Sequence, residues 1–281
     1  MPSIHVNGAW LHYEESGSGP ETVVFAHGLL WSGRMFDAQV AALRDRYRCI
    51  TYDLRGQGQS EVTADGYDMD TLAEDAAALI EALGAAPCHF VGLSMGGFIG
   101  MRLAFRRPRL LRSLVLMETS PYPEPPESAR KYRMLGRIAR WISLRLVADR
   151  VMKIMFGWTF LNDPGREEER REWRARLLAN HPVGIQRALR GVTDREGVDP
   201  ELTRIHTPTL VVVGTEDVAT PREKAERIAT RIPGARLVVI PCAGHTSSVE
   251  EPEAVSQALL DFIPSHGPSA AVAPAEPSVS G

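Results

Sequence analysis

The 281-residue chain has no run of about 20 apolar residues, so nothing in it should span a bilayer as a helix. Its opening, MPSIHVNGAW, has neither a basic stretch nor a long apolar one. No secretory signal is visible, and the cytoplasm is the expected compartment. A dominant charge sign is also missing: 32 Lys and Arg stand against 35 Asp and Glu, a formal net charge of −3. Such a balance provides no strong field for nucleic acid or an anionic membrane, so small neutral or mildly charged ligands are the expected partners. Cysteine is scarce. Cys49, Cys88 and Cys242 are an odd number, the first two in or beside apolar runs, and all three are expected to be reduced core residues. There is no internal repeat, and no feature selects an oligomeric state. What is present is enough chain to bury one large α/β core, with room for a smaller insertion.

The segment SIHVNGAWLHYEES places two β-rich runs around Asn7-Gly8, a dipeptide that accepts φ > 0 in a tight hairpin. From Glu21 onward, short apolar runs (TVVFAH, YRCITYD, CHFVGLS, LRSLVLMET) alternate with helical periodicity such as MDTLAEDAAALIEALG. That rhythm predicts a mostly parallel sheet with helices on both faces. Pro121, Pro123, Pro125 and Pro126 interrupt it, and the following stretch, rich in Arg, Leu, Met and Trp, reads as a helical insertion. Within it, REEERREWRAR mixes both signs and suits a solvated helix face rather than a nucleic-acid patch. The α/β rhythm resumes with TPTLVVVGTED, a helix from about Pro221, ARLVVIP and EPEAVSQALLDFI. The expected divisions are residues 1–119 and 202–264 for the core, 120–201 for the insertion, and 265–281 for a disordered Pro/Ala/Ser tail.

Gly92-Leu93-Ser94-Met95-Gly96 matches G-x-S-x-G, a sharp strand-to-helix turn that lifts a serine above a sheet. Glycines suit its flanks because backbone must pass close there. A serine hydroxyl is a weak nucleophile at neutral pH, so the reading requires a base, an acid that orients the base, and oxyanion donors. His245, between the last strand and last helix in IPCAGHTSSVEEPEAV, is the best-placed base. Asp217, in the loop after LVVVG, is the preferred acid, with Glu118 at the end of SLVLMET as its competitor. The chain order Ser94, Asp217, His245 is the one expected for such a site. Asp53 reads more simply as a loop anchor, and His27 as a structural side chain. The backbone amides of Met95 and Leu29 would supply the oxyanion hole. Trp31, Met155, Phe156 and Trp158, beside Leu29 and Met95, either line an apolar substrate pocket or pack the insertion onto the core.

With HGLLWSG, YDLRGQGQS, GLSMGG, VVVGTED and AGHTSSVEEPE in this order, the chain resembles the α/β-hydrolase superfamily from the hairpin to about Ile263. The resemblance is to serine enzymes of the esterase and lactonase type, similar to small carboxylesterases and 3-oxoadipate enol-lactonases. It implies an α/β fold, with a mostly parallel eight-stranded sheet and a helical cap inserted after strand 6. It also implies a substrate pocket between cap and core, no cofactor and no metal. Haloalkane dehalogenases and epoxide hydrolases carry aspartate at the elbow; Ser94 argues against both chemistries. The expected activity is hydrolysis of small carboxylic esters through an acyl-enzyme. A lactonase, a perhydrolase and a non-catalytic ligand receptor are the alternatives, in that order.

Overall fold

A computed structural model describes residues 2–263. Asn7 and Gly8 adopt φ of 45° and 75°, the left-handed pair that closes a two-residue turn, and join β1 (Ser3–Val6) to β2 (Ala9–Ser16). The remaining strands are β3 (Thr22–Ala26), β4 (Arg48–Tyr52), β5 (Cys88–Leu93), β6 (Leu111–Met117), β7 (Thr209–Gly214) and β8 (Arg236–Ile240). They form one eight-stranded sheet in the order β1-β2-β4-β3-β5-β6-β7-β8. β2 runs antiparallel to both its neighbours, β1 and β4; β3 through β8 are mutually parallel.

The helices of the first half are α1 (Asp37–Leu43), α2 (Met69–Ala82) and α3 (Met95–Arg106). Between β6 and β7 come α4 (Pro126–Ile138), α5 (Ala148–Met155), α6 (Trp158–Asn162), α7 (Glu167–Leu178) and α8 (Pro182–Thr193), with a π-helical turn over Ala139–Ser143. After β7 follow α9 (Arg222–Arg231), α10 (Ser247–Glu250) and α11 (Pro252–Phe262). Every residue of β3, β5 and β7 is buried, because helices cover both sheet faces. Val24, Ala26, Phe90 and Val211 pack with α2, α3 and α9 on one face. Val23, Phe25, Val91 and Val212 pack on the other with α1, α11 and part of the helical segment between β6 and β7.

One sequence expectation needs amendment. Cys49 and Cys88 are free and buried, but Cys242 is free and exposed: it lies in the turn beyond the end of β8, with φ of 59°, outside the helix-covered part of the sheet. The anticipated tail, 265–281, lies outside the described residues. The mixed-charge run on α7 is largely solvent-facing, with Arg176 pairing with Glu172 at 2.6 Å, while Trp173 points inward. Among the described residues no helix is long and apolar enough to cross a membrane. Nor, among them, do three or more His, Cys, Asp or Glu side chains cluster as metal ligands.

Candidate active site

Ser94 stands where β5 becomes α3, with φ of 52° and ψ of −105°. A serine in this left-handed region is strained and is held there by its surroundings. Its N–H donates to the Met117 carbonyl at 2.8 Å, and its carbonyl accepts from Thr119 Oγ1 at 2.9 Å. The flanking glycines are sterically required. A Cβ on Gly92 would sit 2.3 Å from the Gly96 oxygen, and one on Gly96 only 2.0 Å from the Ala26 oxygen.

The turn after β8 delivers His245, whose Nε2 lies 2.9 Å from Ser94 Oγ. Its Nδ1 lies 3.1 Å and 3.0 Å from the two carboxylate oxygens of Asp217, in the loop after β7. With Nδ1 facing a carboxylate, that nitrogen carries the proton, leaving Nε2 to accept from the serine hydroxyl. Asp217 Oδ1 also accepts the Ala219 and Thr220 N–H groups, and Thr220 Oγ1 donates to Oδ2 at 2.6 Å. Burial pushes the Asp217 carboxyl up, but the His245 ring and these hydrogen bonds outweigh it and hold the group below the usual carboxylate range. Ser94, Asp217 and His245 are each at most 9% exposed.

Glu118, the competing acid, makes no hydrogen bond to the imidazole, whose partners are Asp217, Thr220 and Ser94. It is fully buried with φ of 42°, and neither carboxyl oxygen completes a hydrogen bond, although Ser247 approaches. Burial first, and the Asp217 charge second, push its pKa well above the ordinary value. Asp53 anchors its loop by accepting from Gly33 N and Gln59 N at 2.8 Å each. His27 ties two loops together: Leu54 N donates to its Nε2, and its Nδ1 meets the Gly28 carbonyl.

The Met95 N–H is the first of α3 and has no intrahelical acceptor. The Leu29 N–H has no acceptor among the described residues either. Their two loops are close: Gly96 N donates to His27 O at 3.1 Å, and a Cβ on Gly28 would lie 3.5 Å from Ser94 Cβ.

Ser94 and His245 open onto a cavity of about 120 Å³. Its walls are chiefly aliphatic, from Leu135 and Leu144 through Val147, Val151 and Met155 to Leu189, with the Arg195–Glu124 ion pair (2.9 Å) as a polar exception. Of the side chains expected at the pocket, Leu29 and Met155 line this cavity and Met95 does not. Trp31 and Phe156 do not. They pack edge-on at 5.7 Å within a cluster containing Phe160 and Trp173, which joins the helical segment to the core. Trp158 is 73% exposed, because α6 restarts after Gly157 and turns this position outward.

Glu250 was not singled out by the sequence. It sits 1% exposed on α10, and its Oε2 accepts from Gly157 N (2.7 Å) and Gly244 N (2.9 Å) while Oε1 accepts from Thr246 N (3.0 Å). One carboxyl therefore grips both residues flanking His245 and the start of α6. Glu216 adds a parallel tie, accepting from the Thr159 N–H and hydroxyl.

The alpha/beta hydrolase fold family matches residues 21–252. The chain belongs to that family. Among solved structures, a thermophilic esterase from Thermogutta terrifontis superposes with a TM-score of 0.87 at 31% identity, covering 95% of this chain and 99% of that one. The enol-lactonase from Burkholderia xenovorans LB400 gives 0.85 at 29% identity, covering 94% and 100%. RutD of Stutzerimonas stutzeri (strain A1501), provisionally named a carbamate hydrolase, is 29% identical over 261 residues, 90% of this chain and 96% of its own.

Proposed function

We propose that the protein hydrolyses small carboxylic esters by acyl transfer from Ser94 to water. The observation that carries this reading is the unbroken chain Asp217–His245–Ser94 at the wall of an apolar cavity. His245 takes the hydroxyl proton as Ser94 attacks the ester carbonyl, and Asp217, kept ionised, stabilises the imidazolium. The Leu29 and Met95 amides receive the oxyanion. Removal of one such donor typically costs about 10²–10³ in turnover. Protonated His245 then returns its proton to the leaving alkoxide, and a water activated by the same ring releases the acid. Residues 120–201 act as a cap that closes the cavity over Ser94.

Cavity size sets the expected substrate. It is slightly smaller than an engineered void of roughly 150 Å³ that takes benzene, so a short acyl group fits and a long one does not. Esterase and enol-lactonase relatives support acyl chemistry on oxygen esters, linear or cyclic. The predominantly aliphatic lining favours an apolar acyl group over a small polar carbamate.

The test is a turnover panel of p-nitrophenyl acetate, butyrate and laurate with a γ-lactone and a carbamate. Short esters should exceed the laurate by more than about tenfold, and Ser94→Ala should lose at least about 10³ in kcat. Near-native turnover by pure Ser94→Ala would remove Ser94 from the chemistry.

A further inference from the structure

The whole chain is mildly acidic, but residues 130–153 are not. They hold eight Lys and Arg and a single acid, Asp149, which is already bound to Arg174. Arg130, Met134 and Arg137 succeed one another at helical spacing along the outer side of α4, and Trp141 is exposed on the π-helical turn that follows. Trp141 is 72% exposed, Ile142 70% and Leu146 69%, while Met134 is 46% exposed. Arg140 stacks on the Trp141 ring at 4.7 Å. Arg133 pairs with Asp194, whereas Arg130, Lys131, Arg137 and Arg145 have no acidic partner among the described residues. The opposite side of the same segment, through Tyr132, Leu135, Ala139 and Leu144, walls the cavity.

We propose that this outer face docks the protein on anionic lipid surfaces. Four large apolar side chains within about a dozen residues form a patch that core packing does not use, and the cations around it match a negatively charged interface. The combination selects a surface that is apolar and anionic together. Trp141, Ile142 and Leu146 enter the headgroup boundary, and each cation near the surface strengthens partitioning by about fivefold. Docking places the wall of the cavity against the lipid and lets a membrane-dissolved substrate approach it. The docking itself stands whether or not Ser94 is the nucleophile.

The full chain should be sedimented with vesicles of phosphatidylcholine alone and with 30% phosphatidylglycerol, a mole fraction that gives about the surface potential of a natural anionic leaflet. Binding at 0.1 M NaCl should be at least tenfold tighter to the anionic vesicles and should weaken strongly at 0.5 M NaCl, as screening requires (expected fold-changes are about an order of magnitude). Trp141→Ser/Ile142→Ser/Leu146→Ser, and separately Arg137→Glu/Arg145→Glu, should each lose about tenfold of that binding. Both variants alter exposed positions outside the cavity, and their thermal unfolding should match the parent; Trp141→Ser alone serves as a milder replacement. Equal or absent binding to the two vesicle types, or binding unchanged in both variants, would overturn the proposal. So would a concentration-dependent dimer abolished by the triple variant, which assigns the face to a second copy. Tight binding to polyglutamate with none to vesicles would instead assign an acidic protein partner.

Discussion

Glu250→Gln isolates the energetic consequence of burying one carboxyl against the His245 loop. Glu250 is pushed up to about 7 by burial, which outweighs its three backbone N–H donors and the nearby His245. In the unfolded chain the group titrates at its ordinary 4.5. Between these values the folded state binds more protons than the unfolded one, so stability falls as pH rises. The contribution is fully present below pH 4.5 and is lost as pH climbs through about 7. A difference of about 2.5 pKa units corresponds to about 3.4 kcal/mol at about 1.36 kcal/mol per unit. Glutamine cannot titrate, so the variant lacks this slope, although at low pH it bears a fixed penalty of about 1–3 kcal/mol where its NH₂ group faces a backbone donor.

The assay is urea unfolding of both proteins from pH 5 to pH 8. Wild type should lead at pH 5, and its advantage should shrink by about 3 kcal/mol by pH 8. Glu118, whose raised pKa gives the same sign, is common to both proteins and largely cancels in the difference. Two stability curves that stay parallel within about 0.5 kcal/mol would show that the Glu250 carboxyl is ionised throughout and that its donors, not its burial, govern it.

Three further outcomes follow from the same geometry. Asp217→Asn should lower kcat for a short ester by about 10⁴, while Glu118→Gln should leave it within about threefold; the reverse ranking in steady-state kinetics would make Glu118 the acid. Gly96→Ala should destabilise by about 3 kcal/mol or fail to accumulate, because its Cβ would stand 2.0 Å from the Ala26 oxygen, and a native urea midpoint would refute that contact. Val151→Trp, on the cavity wall, should cut butyrate turnover by at least about tenfold relative to acetate, so unchanged chain-length preference would place the acyl group elsewhere.

The sheet was legible because strands covered on both faces read as continuous apolar runs, so TVVFA, CHFVGL and TLVVVG announce themselves. The elbow was equally plain, since glycines at 92 and 96 answer to backbone atoms at about 2 Å and no other residue fits. Chain order pointed to Asp217 and His245, but only the fold shows that Asp217 and not Glu118, each of which follows one of two neighbouring strands, hydrogen-bonds the imidazole. The cavity was the hard part. Its walls come from α4, α5, α8 and the turns between them, and a π-helical turn at Ala139–Ser143 breaks the 3.6-residue phase on which inward and outward positions are judged. Trp31 and Phe156 look like pocket residues in sequence because aromatics serve both purposes; here they knit the helical segment to the core, and the site is shaped by smaller aliphatics beside them. Glu250 was hidden for the opposite reason. An acid in SSVEEPE reads as solvated helix-terminal charge, and only the return of α6 toward the His245 turn buries it and gives it three backbone donors. Polar groups whose role depends on a distant segment are therefore the ones a local pattern conceals, and in this chain such a group grips both neighbours of His245.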